Sequence, residues 1–162
     1  MNGKHQVTRT VEVATDPAAI WGVIADSTLL PQWTGVVKDV TYLGETEEGV
    51  GMTRHCSVEL GGRTGTMTER CVEFLPTRRA GYVVDDDTLG FHRRLVDYGF
   101  TIALDPRSDR TTALHIDTYY TPRNPLYALL NQLVLRRRLR RTVDGLLQGL
   151  KQISERRGAQ AA

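Results

Sequence analysis

Arg54 has the clearest chemical potential in the sequence, because its type breaks the pattern around it. The alternating segment that contains it otherwise carries apolar residues at the same parity: Met52, Cys56, Val58 and Leu60. A strand would turn the guanidinium toward the buried face, where an unpaired charge is costly. Arg54 is therefore a candidate to bind a carboxylate or polarise a ketone. The alternatives are an ion pair with a core carboxylate such as Glu69, or a position at a cavity rim.

Aromatic residues supply most of the other candidate ligand contacts. Tyrosines on the apolar strand faces offer phenols to a ligand, although a core tyrosine with a satisfied hydroxyl is the common alternative. Trp33 lies in a short turn and could stack on a flat ligand, or fix the short helices by packing. We predict these ligand contacts: Trp33, Arg54, Tyr82, Tyr98, Phe100, Ile116, Tyr120, Leu126 and Leu130.

Alternation in the last two predicted strands indicates which residues share a face. The penultimate strand places five residues together: Val96, Tyr98, Phe100, Ile102 and Leu104. The last strand places four together: Leu114, Ile116, Thr118 and Tyr120. A β-bulge would reverse these assignments beyond the point where it occurs.

Other catalytic chemistry lacks its sequence signature. The histidines (His5, His55, His92 and His115) show no metal-site spacing, and the second and fourth fall on the outer parity of their strands. Asp85–Asp87 is predicted to be a solvated acidic turn without the alternation of a calcium loop. No phosphate loop, dinucleotide motif or nucleophile elbow is present. We expect neither a metal nor another cofactor.

Length and composition are typical of a globular domain. The chain has 162 residues, 40% hydrophobic and 25% charged, which suits one domain with a substantial core. The net charge of +2 gives no basis for a nucleic-acid partner. Cys56 and Cys71 are predicted to be small core residues of a reducing compartment, and the alternative is that the two pair with each other. With a polar N-terminus and no long apolar run, we expect a cytoplasmic protein.

The elements that must position these residues follow the hydrophobic periodicity. A strand with alternating valines (7–13) precedes a short helix capped by Asp16 and opened by Pro17, and then a second short turn that starts at Asp26 or Ser27. Six strands joined by hairpins follow: 36–43, 52–60, 63–75, 80–84, 91–104 and 111–120. Consecutive hairpins form an antiparallel sheet.

A single long helix is predicted from Asn124 to about Arg157. Asn124 is a good N-cap, Pro125 suits the first turn, and Gly158 can provide a left-handed stop before a frayed tail. Apolar residues of the second half form one face: Leu135, Leu139, Val143, Leu146, Leu150 and Ile153. Those of the first half form a stripe in another direction: Leu126, Leu129, Leu130 and Leu133.

The first stripe has several alternative uses. It could cover a cavity, a second subunit or a membrane surface, or the helix could bend near 133–135 and bury both stripes in one core. The arginine block from Arg136 to Arg141 could make peripheral contact with anionic lipid headgroups or an acidic partner. The alternative is a solvated face whose long stems cover the core edges.

The order of elements and several local motifs resemble the START-like superfamily, also called SRPBCC. The motifs are D-P-x-x-I/V-W at Asp16–Trp21, P-x-W at Pro31–Trp33, G-x-G at Gly49–Gly51, E-x-x-x-E-F-x-P at Glu69–Pro76, and the arginine-rich final helix. The resemblance implies one α+β domain over residues 1–162, with an ordered core of about 5–157. In this helix-grip fold a curved antiparallel seven-stranded sheet wraps around a long C-terminal helix, with two short helices after the first strand.

The same resemblance implies a hydrophobic cavity between sheet and helix. We expect the protein to bind an apolar or aromatic, lipid- or polyketide-like small molecule there. One alternative is a polyketide aromatase/cyclase, a cyclase/dehydrase-like lyase in which Arg54 polarises a carbonyl and a tyrosine or acid moves protons. The other is a non-enzymatic homodimeric module that pairs through 126–133.

Overall fold

The structure, a computed structural model, describes residues 5–130 and 134–161. The N-terminal elements are β1 (His5–Val13), α1 (Pro17–Ile24), a 3-10 turn (Ser27–Leu29) and α2 (Leu30–Trp33). The next six are strands: β2 (Val37–Leu43), β3 (Thr53–Leu60), β4 (Arg63–Leu75), β5 (Arg79–Asp87), β6 (Leu95–Ser108) and β7 (Thr111–Pro122). Two helices complete the chain, α3 (Pro125–Leu130) and α4 (Arg136–Ala161).

The seven strands form one antiparallel sheet in the order β1-β7-β6-β5-β4-β3-β2. Each strand from β2 to β7 lies beside its sequence neighbour, and β1 pairs with β7, so that Val7 lies opposite Thr118. The long α4 contacts β1, β7, α1 and α2. This arrangement confirms the predicted helix-grip fold.

Helix starts in the structure follow the predicted capping chemistry. The Asp16 carboxylate accepts hydrogen bonds from the backbone N–H groups of Ala18 and Ala19 at 2.8 and 3.0 Å. Asp26 caps the 3-10 turn in the same way. Asn124 Oδ1 accepts the N–H of Tyr127 at 2.9 Å. Each cap satisfies donors that the first helical turn cannot satisfy internally.

The C-terminal half of α4 packs very closely on the N-terminal elements. Its apolar face is buried at Leu150 and Ile153. A Cβ added at Gly149 would overlap the Trp33 carbonyl, and one added at Gly158 would overlap the Thr15 side chain. Glycine is therefore required at both positions for close approach.

Gly158 does not end the helix, contrary to the prediction from its type. The helix continues to Ala161, which also includes most of the tail that was expected to fray. Gly158 does not have a positive φ. Its missing side chain makes room for Thr15 instead. The structure assigns α3 and α4 separately, and residues 131–133 between them lie outside the described part, so the continuity of the predicted single helix there is not described.

The acidic segment Asp85–Asp87 is not a solvated turn. It forms the end of β5, and Asp87 is buried. Its carboxylate accepts hydrogen bonds from the backbone N–H groups of Phe91 and His92 at 2.8 and 2.7 Å, which compensate for the loss of water. The connection that follows occupies 88–94, so β6 begins at Leu95 rather than at Phe91 and continues through the predicted turn to Ser108.

A bulge in β6 changes one predicted face. The register with β7 shifts between Val96 and Gly99, and Asp97 between them has a φ of 52°. Leu95 consequently faces the cavity described below, whereas Val96 does not. Beyond the bulge the predicted alternation holds, since Tyr98, Phe100 and Ile102 all face inward.

Candidate functional site

A cavity of about 580 Å³ lies between the sheet and the N-terminal half of α4. This volume is within the range of small-molecule sites in proteins. Most of its wall is apolar, from residues such as Ile24, Leu30, Val58, Ile102 and Leu146. Such a wall favours burial of apolar ligand surface, and the few polar groups in it would set the ligand's orientation.

The main polar feature of the wall is an ion pair between Arg54 and Glu69. The two residues lie directly opposite each other on β3 and β4, on the same face of the sheet. Arg54 Nε donates to Glu69 Oε2 at 2.8 Å, and Arg54 Nη2 lies 2.7 Å from the same oxygen. The side chains are only 3% and 12% exposed. Arg54 is therefore buried, as predicted, and it has the core-carboxylate partner that was one of the alternatives.

Two further groups hold the Arg54 guanidinium in place. Its Nη1 donates to Ser27 Oγ at 2.9 Å, and its plane lies over the Tyr82 ring, 4.2 Å from the centroid. Ser27 is itself positioned by its backbone N–H, which donates to the Tyr42 hydroxyl. Burial lowers the pKa of Arg54, but the Glu69 carboxylate, together with smaller contributions from Tyr82 and Cys56, outweighs burial, so the net shift is upward and the guanidinium stays charged.

The ion pair retains capacity to bind a ligand. Each terminal guanidinium nitrogen has a second N–H beyond those engaged by Glu69 and Ser27. Both contacts with the carboxylate use Oε2, and no described hydrogen bond reaches Oε1. A ligand carbonyl or hydroxyl at this part of the wall would therefore find both a charged donor and an acceptor.

Phenols complete the polar part of the wall. Burial raises the pKa of Tyr82 to about 12 and raises that of Tyr98 as well, so both hydroxyls stay protonated at neutral pH. Among the described residues, no hydrogen bond to the Tyr98 hydroxyl is found. The Tyr98 ring packs 5.9 Å from that of Phe91, and Tyr82 stacks on Phe100 at 5.2 Å. Tyr98 is thus a fixed proton donor facing the cavity.

The open side of the cavity lies at one end of the sheet. Antiparallel alternation brings the β3–β4 turn at 61–62, the connection 88–94 and the chain after β7 to this same end. Contacts join them: Thr88 N–H donates to the Thr66 carbonyl at 3.0 Å, and Arg123 N–H donates to the Arg94 carbonyl at 2.9 Å. We call this the mouth end.

Four arginines from these connections and from α4 line the cavity at the mouth end. We call Arg63, Arg94, Arg138 and Arg141 the arginine rim. All four are exposed, and none makes an ion pair with a described carboxylate. Glu69 is the single acidic residue among the lining residues that the structure describes, and Arg54 neutralises it. The cavity therefore combines an apolar interior with a cationic opening.

Seven of the nine predicted contact residues line the cavity: Trp33, Arg54, Tyr82, Tyr98, Phe100, Ile116 and Tyr120. Leu126 does not, because its side chain is 63% exposed on α3. The Leu130 side chain lies outside the described part of the structure. Ligand contact by any of these residues stays a prediction.

Sequence reasoning missed Ser27 and two members of the arginine rim, Arg63 and Arg94, whereas Arg138 and Arg141 belong to the arginine block predicted to contact anionic groups. Ser27 gave only the signal of a turn start, and its role depends on the tertiary approach of the 3-10 turn to β3. The rim had a usable signal, since the parity of six hairpin-joined strands places alternate connections at one end. Arg63 and Arg94 follow from that parity once the strand order is known.

The remaining sequence candidates lie away from the cavity. His55 hydrogen bonds to Thr68 and His115 to Thr10, outside the lining. Residues 5–130 and 134–161 contain no group of three or more His, Cys, Asp or Glu that could hold a metal ion. Cys56 and Cys71 are buried free thiols. None of the described helices combines the length and apolarity of a membrane span.

The first apolar stripe is exposed where it is described. Leu126 and Leu129 are 63% and 54% exposed on α3, close in sequence to the exposed arginines at the start of α4. Leu130 and Leu133 cannot be placed, since the former's side chain and the latter residue lie outside the described part. A membrane or a second copy of the chain as the partner of this surface stays a prediction.

Solved structures share this fold over nearly the whole chain. An aromatase/cyclase, Zhui, from Streptomyces sp. R1128 has a TM-score of 0.77 at 20% identity, covering 94% of each chain. A START superfamily protein from Mycobacterium smegmatis has 0.70 at 18%, covering 98% of this chain and 99% of that one. Norcoclaurine synthase from Thalictrum flavum has 0.73 at 14%, covering 93% of each. At these identities the likeness concerns the fold alone.

The sequence itself gives the family. Residues 4–155 match the family described as polyketide cyclase/dehydrase and lipid transport. The chain belongs to this family, within the START-like superfamily that its motifs resemble. No curated protein sequence matches the chain.

Proposed function

We propose that the protein binds an apolar or aromatic small molecule, lipid- or polyketide-like, in the cavity between the sheet and α4. The observation that supports this most is the hollow of about 580 Å³ with an apolar wall and one buried ion pair. Protein interiors are otherwise close-packed, so a hollow of this size indicates a ligand site.

A panel of neutral lipids and aromatics tests the binding proposal by thermal unfolding. A ligand at 100 times its Kd stabilises the folded protein by ~2.7 kcal/mol, which raises Tm by roughly 5–10 °C in a domain of this size. Leu139→Phe, which places a larger side chain in the wall, should reduce the shift. Leu43→Phe, on the exposed side of β2, should not. No shift with any compound, and no small molecule retained in native mass spectrometry, would refute the proposal.

A second candidate function is cyclisation of a poly-ketone chain. The specific observation in its favour is that a charged guanidinium with remaining N–H groups and a protonated phenol line one cavity. In an aldol step a methylene loses a proton to a base, its carbon bonds to a carbonyl carbon, and the carbonyl oxygen takes up a proton. Arg54 would stabilise the developing oxyanion and Tyr98 would donate the proton. The new C–C bond closes the ring, and loss of the resulting hydroxyl with a neighbouring hydrogen as water then gives its double bond.

The cyclase proposal is tested with a linear poly-ketone thioester, followed by mass spectrometry for loss of water. Arg54→Lys keeps the charge but loses the planar fork, and Tyr98→Phe removes the proton donor, so both should slow turnover by at least about tenfold. Arg54→Ala is unsuitable, because it leaves Glu69 unpaired. Product formation no faster than the spontaneous reaction would exclude this function and leave the binding proposal intact.

A further inference from the structure

We propose that the molecule held in the cavity carries a carboxylate or phosphate group, which the arginine rim binds at the mouth end while its apolar body occupies the interior. This inference rests on the proposed binding function and adds the chemical class of the ligand. It follows from the charges of the lining residues and from where each charge lies along the cavity.

Charge in the cavity is separated by depth. The interior charges cancel, because the buried Arg54 and Glu69 form a close pair. The charges at the mouth end do not cancel, because the exposed rim arginines have no carboxylate partner among the described residues. A neutral ligand would make no use of this difference, whereas an amphipathic anion matches it along its whole length.

Three separate parts of the chain contribute to the arginine rim. Arg63 follows the β3–β4 turn, Arg94 precedes β6, and the other two lie one turn apart on α4. A solvated helix face would explain the α4 pair alone. It would not explain why unpaired arginines from two sheet connections line the same opening.

Arginine also suits this role chemically. Its planar fork binds carboxylate and phosphate oxygens in a bidentate manner, and its long apolar stem can line a hydrophobic opening. Lysine would supply the charge without the fork, and all four rim positions are arginine. The carboxylate and the phosphate are the two sources of such an oxyanion, and they differ in charge at neutral pH.

Four probes with the same saturated decyl chain separate the possibilities: decanoic acid, decyl phosphate, decan-1-ol and decyltrimethylammonium. Each competes with the neutral dye Nile red for the cavity, below its micelle concentration and at low salt. The acid or the phosphate should bind at least about tenfold more tightly than the alcohol, since hydrogen bonds between ions are worth 1.4 kcal/mol or more. The tighter of the two anions identifies the preferred group. The anion preference should fall as salt is raised, because exposed charges are screened.

Variants of α4 locate the anion. Arg138→Gln/Arg141→Gln removes two rim arginines, and the control Arg137→Gln/Arg140→Gln removes the same charge from exposed positions of the same helix that do not line the cavity. The rim variant should lose most of the anion preference while binding decan-1-ol as the parent does, and the control should keep the preference. Circular dichroism verifies that both are folded.

The outcomes are distinguishable from failure of the proposed function. If the alcohol binds as tightly as both anions, the rim does not select an oxyanion and the inference is wrong, although a ligand still binds. Equal loss of preference in the two double variants would also overturn it, because a general positive field would then be the cause. If none of the four chains displaces bound Nile red, the cavity does not accept an alkyl ligand and the inference is wrong, although the bound aromatic dye still supports the binding proposal. If Nile red itself does not bind, the binding proposal fails.

Discussion

The two ends of the interface between α4 and the rest of the protein differ in how closely they pack. At one end, which we call the closed end, Gly149 and Gly158 allow the helix backbone to touch Trp33 and Thr15. At the open end, near Leu139 and Thr142, the helix stands away from the sheet and covers the cavity. One helix therefore both anchors the fold and roofs the hollow. The close contacts hold the C-terminal part of α4 against Trp33 of α2 and against Thr15.

The largest expected effect concerns the buried ion pair in the cavity wall, although the cavity is the loosely packed region. Arg54→Ala leaves the Glu69 carboxylate buried and unpaired, and should cost ~3–5 kcal/mol of unfolding free energy in urea denaturation. Replacing both residues, as Arg54→Met/Glu69→Met, should recover most of that loss.

A matched control for the ion pair is available on β4. Arg70 contacts Asp85 at 2.8 Å, and both side chains are 40–45% exposed. Arg70→Ala should therefore cost less than ~1 kcal/mol. If Arg54→Ala costs no more than Arg70→Ala, the guanidinium is solvated and cannot act as a fixed group in the cavity wall.

The second effect tests the closed end through two glycines of α4. Gly149→Ala forces a Cβ into the Trp33 carbonyl, so the helix or α2 must shift, at a cost of ~1–3 kcal/mol or more. Gly145 has nothing within 4 Å of the same added atom. Gly145→Ala should stabilise by ~1 kcal/mol through helix propensity alone. Chemical denaturation of both variants measures the difference, and equal effects would mean that the closed end is not tightly packed.

The third prediction makes the same leucine-to-phenylalanine substitution at the closed end and in the cavity wall. Leu150 is fully buried in the closed end, and Leu150→Phe should cost ~1–3 kcal/mol by overpacking. Leu139 lines the cavity, where the larger ring has space, so Leu139→Phe should change the unfolding free energy by less than ~0.5 kcal/mol. Similar losses in the two variants would show that the hollow is collapsed in solution.

The sequence predicts the closed end and the inward face of β3 better than it predicts the mouth end. Strand parity places Arg54 correctly because β3 keeps an unbroken register with β4. The same parity fails at Val96, where the register shifts at Asp97, two residues before Gly99. A glycine inside a strand is compatible with a bulge but does not fix where the bulge falls. The position of a bulge depends on tertiary packing, and the hydrophobic periodicity of one sequence does not reveal it.

Residue type also misleads where one residue can serve two purposes. Gly158 matches the statistics of a helix stop, but its role is to let Thr15 approach. Asp87 matches those of a solvated turn, but its carboxylate is needed to satisfy two backbone donors of the next connection. In both cases the role of the residue depends on a contact that the neighbouring sequence does not specify. The local pattern alone therefore cannot distinguish the two roles.

The smallest effect concerns pH and the connection 88–94 at the mouth end. Burial raises the pKa of Asp87, but backbone hydrogen bonds from His92 and Phe91 outweigh it and lower that pKa below its ordinary value of 3.8. A carboxyl group whose pKa is lowered by folding stabilises the folded state at any pH above its pKa in the unfolded chain. That contribution declines as the pH falls below about 3.8 and through the lower folded pKa.

We therefore expect acid to loosen this connection, which carries Phe91 and Arg94 of the cavity wall, before it unfolds the closed end. Amide hydrogen exchange of 88–94 should increase as the pH falls below about 3.8, after correction for intrinsic rates, while amides of α4 beyond Gly149 stay protected. Asp87→Asn, which cannot ionise, should exchange faster at neutral pH and show little further change in acid. Acid loosening of equal size in that variant would assign the effect to other carboxyl groups.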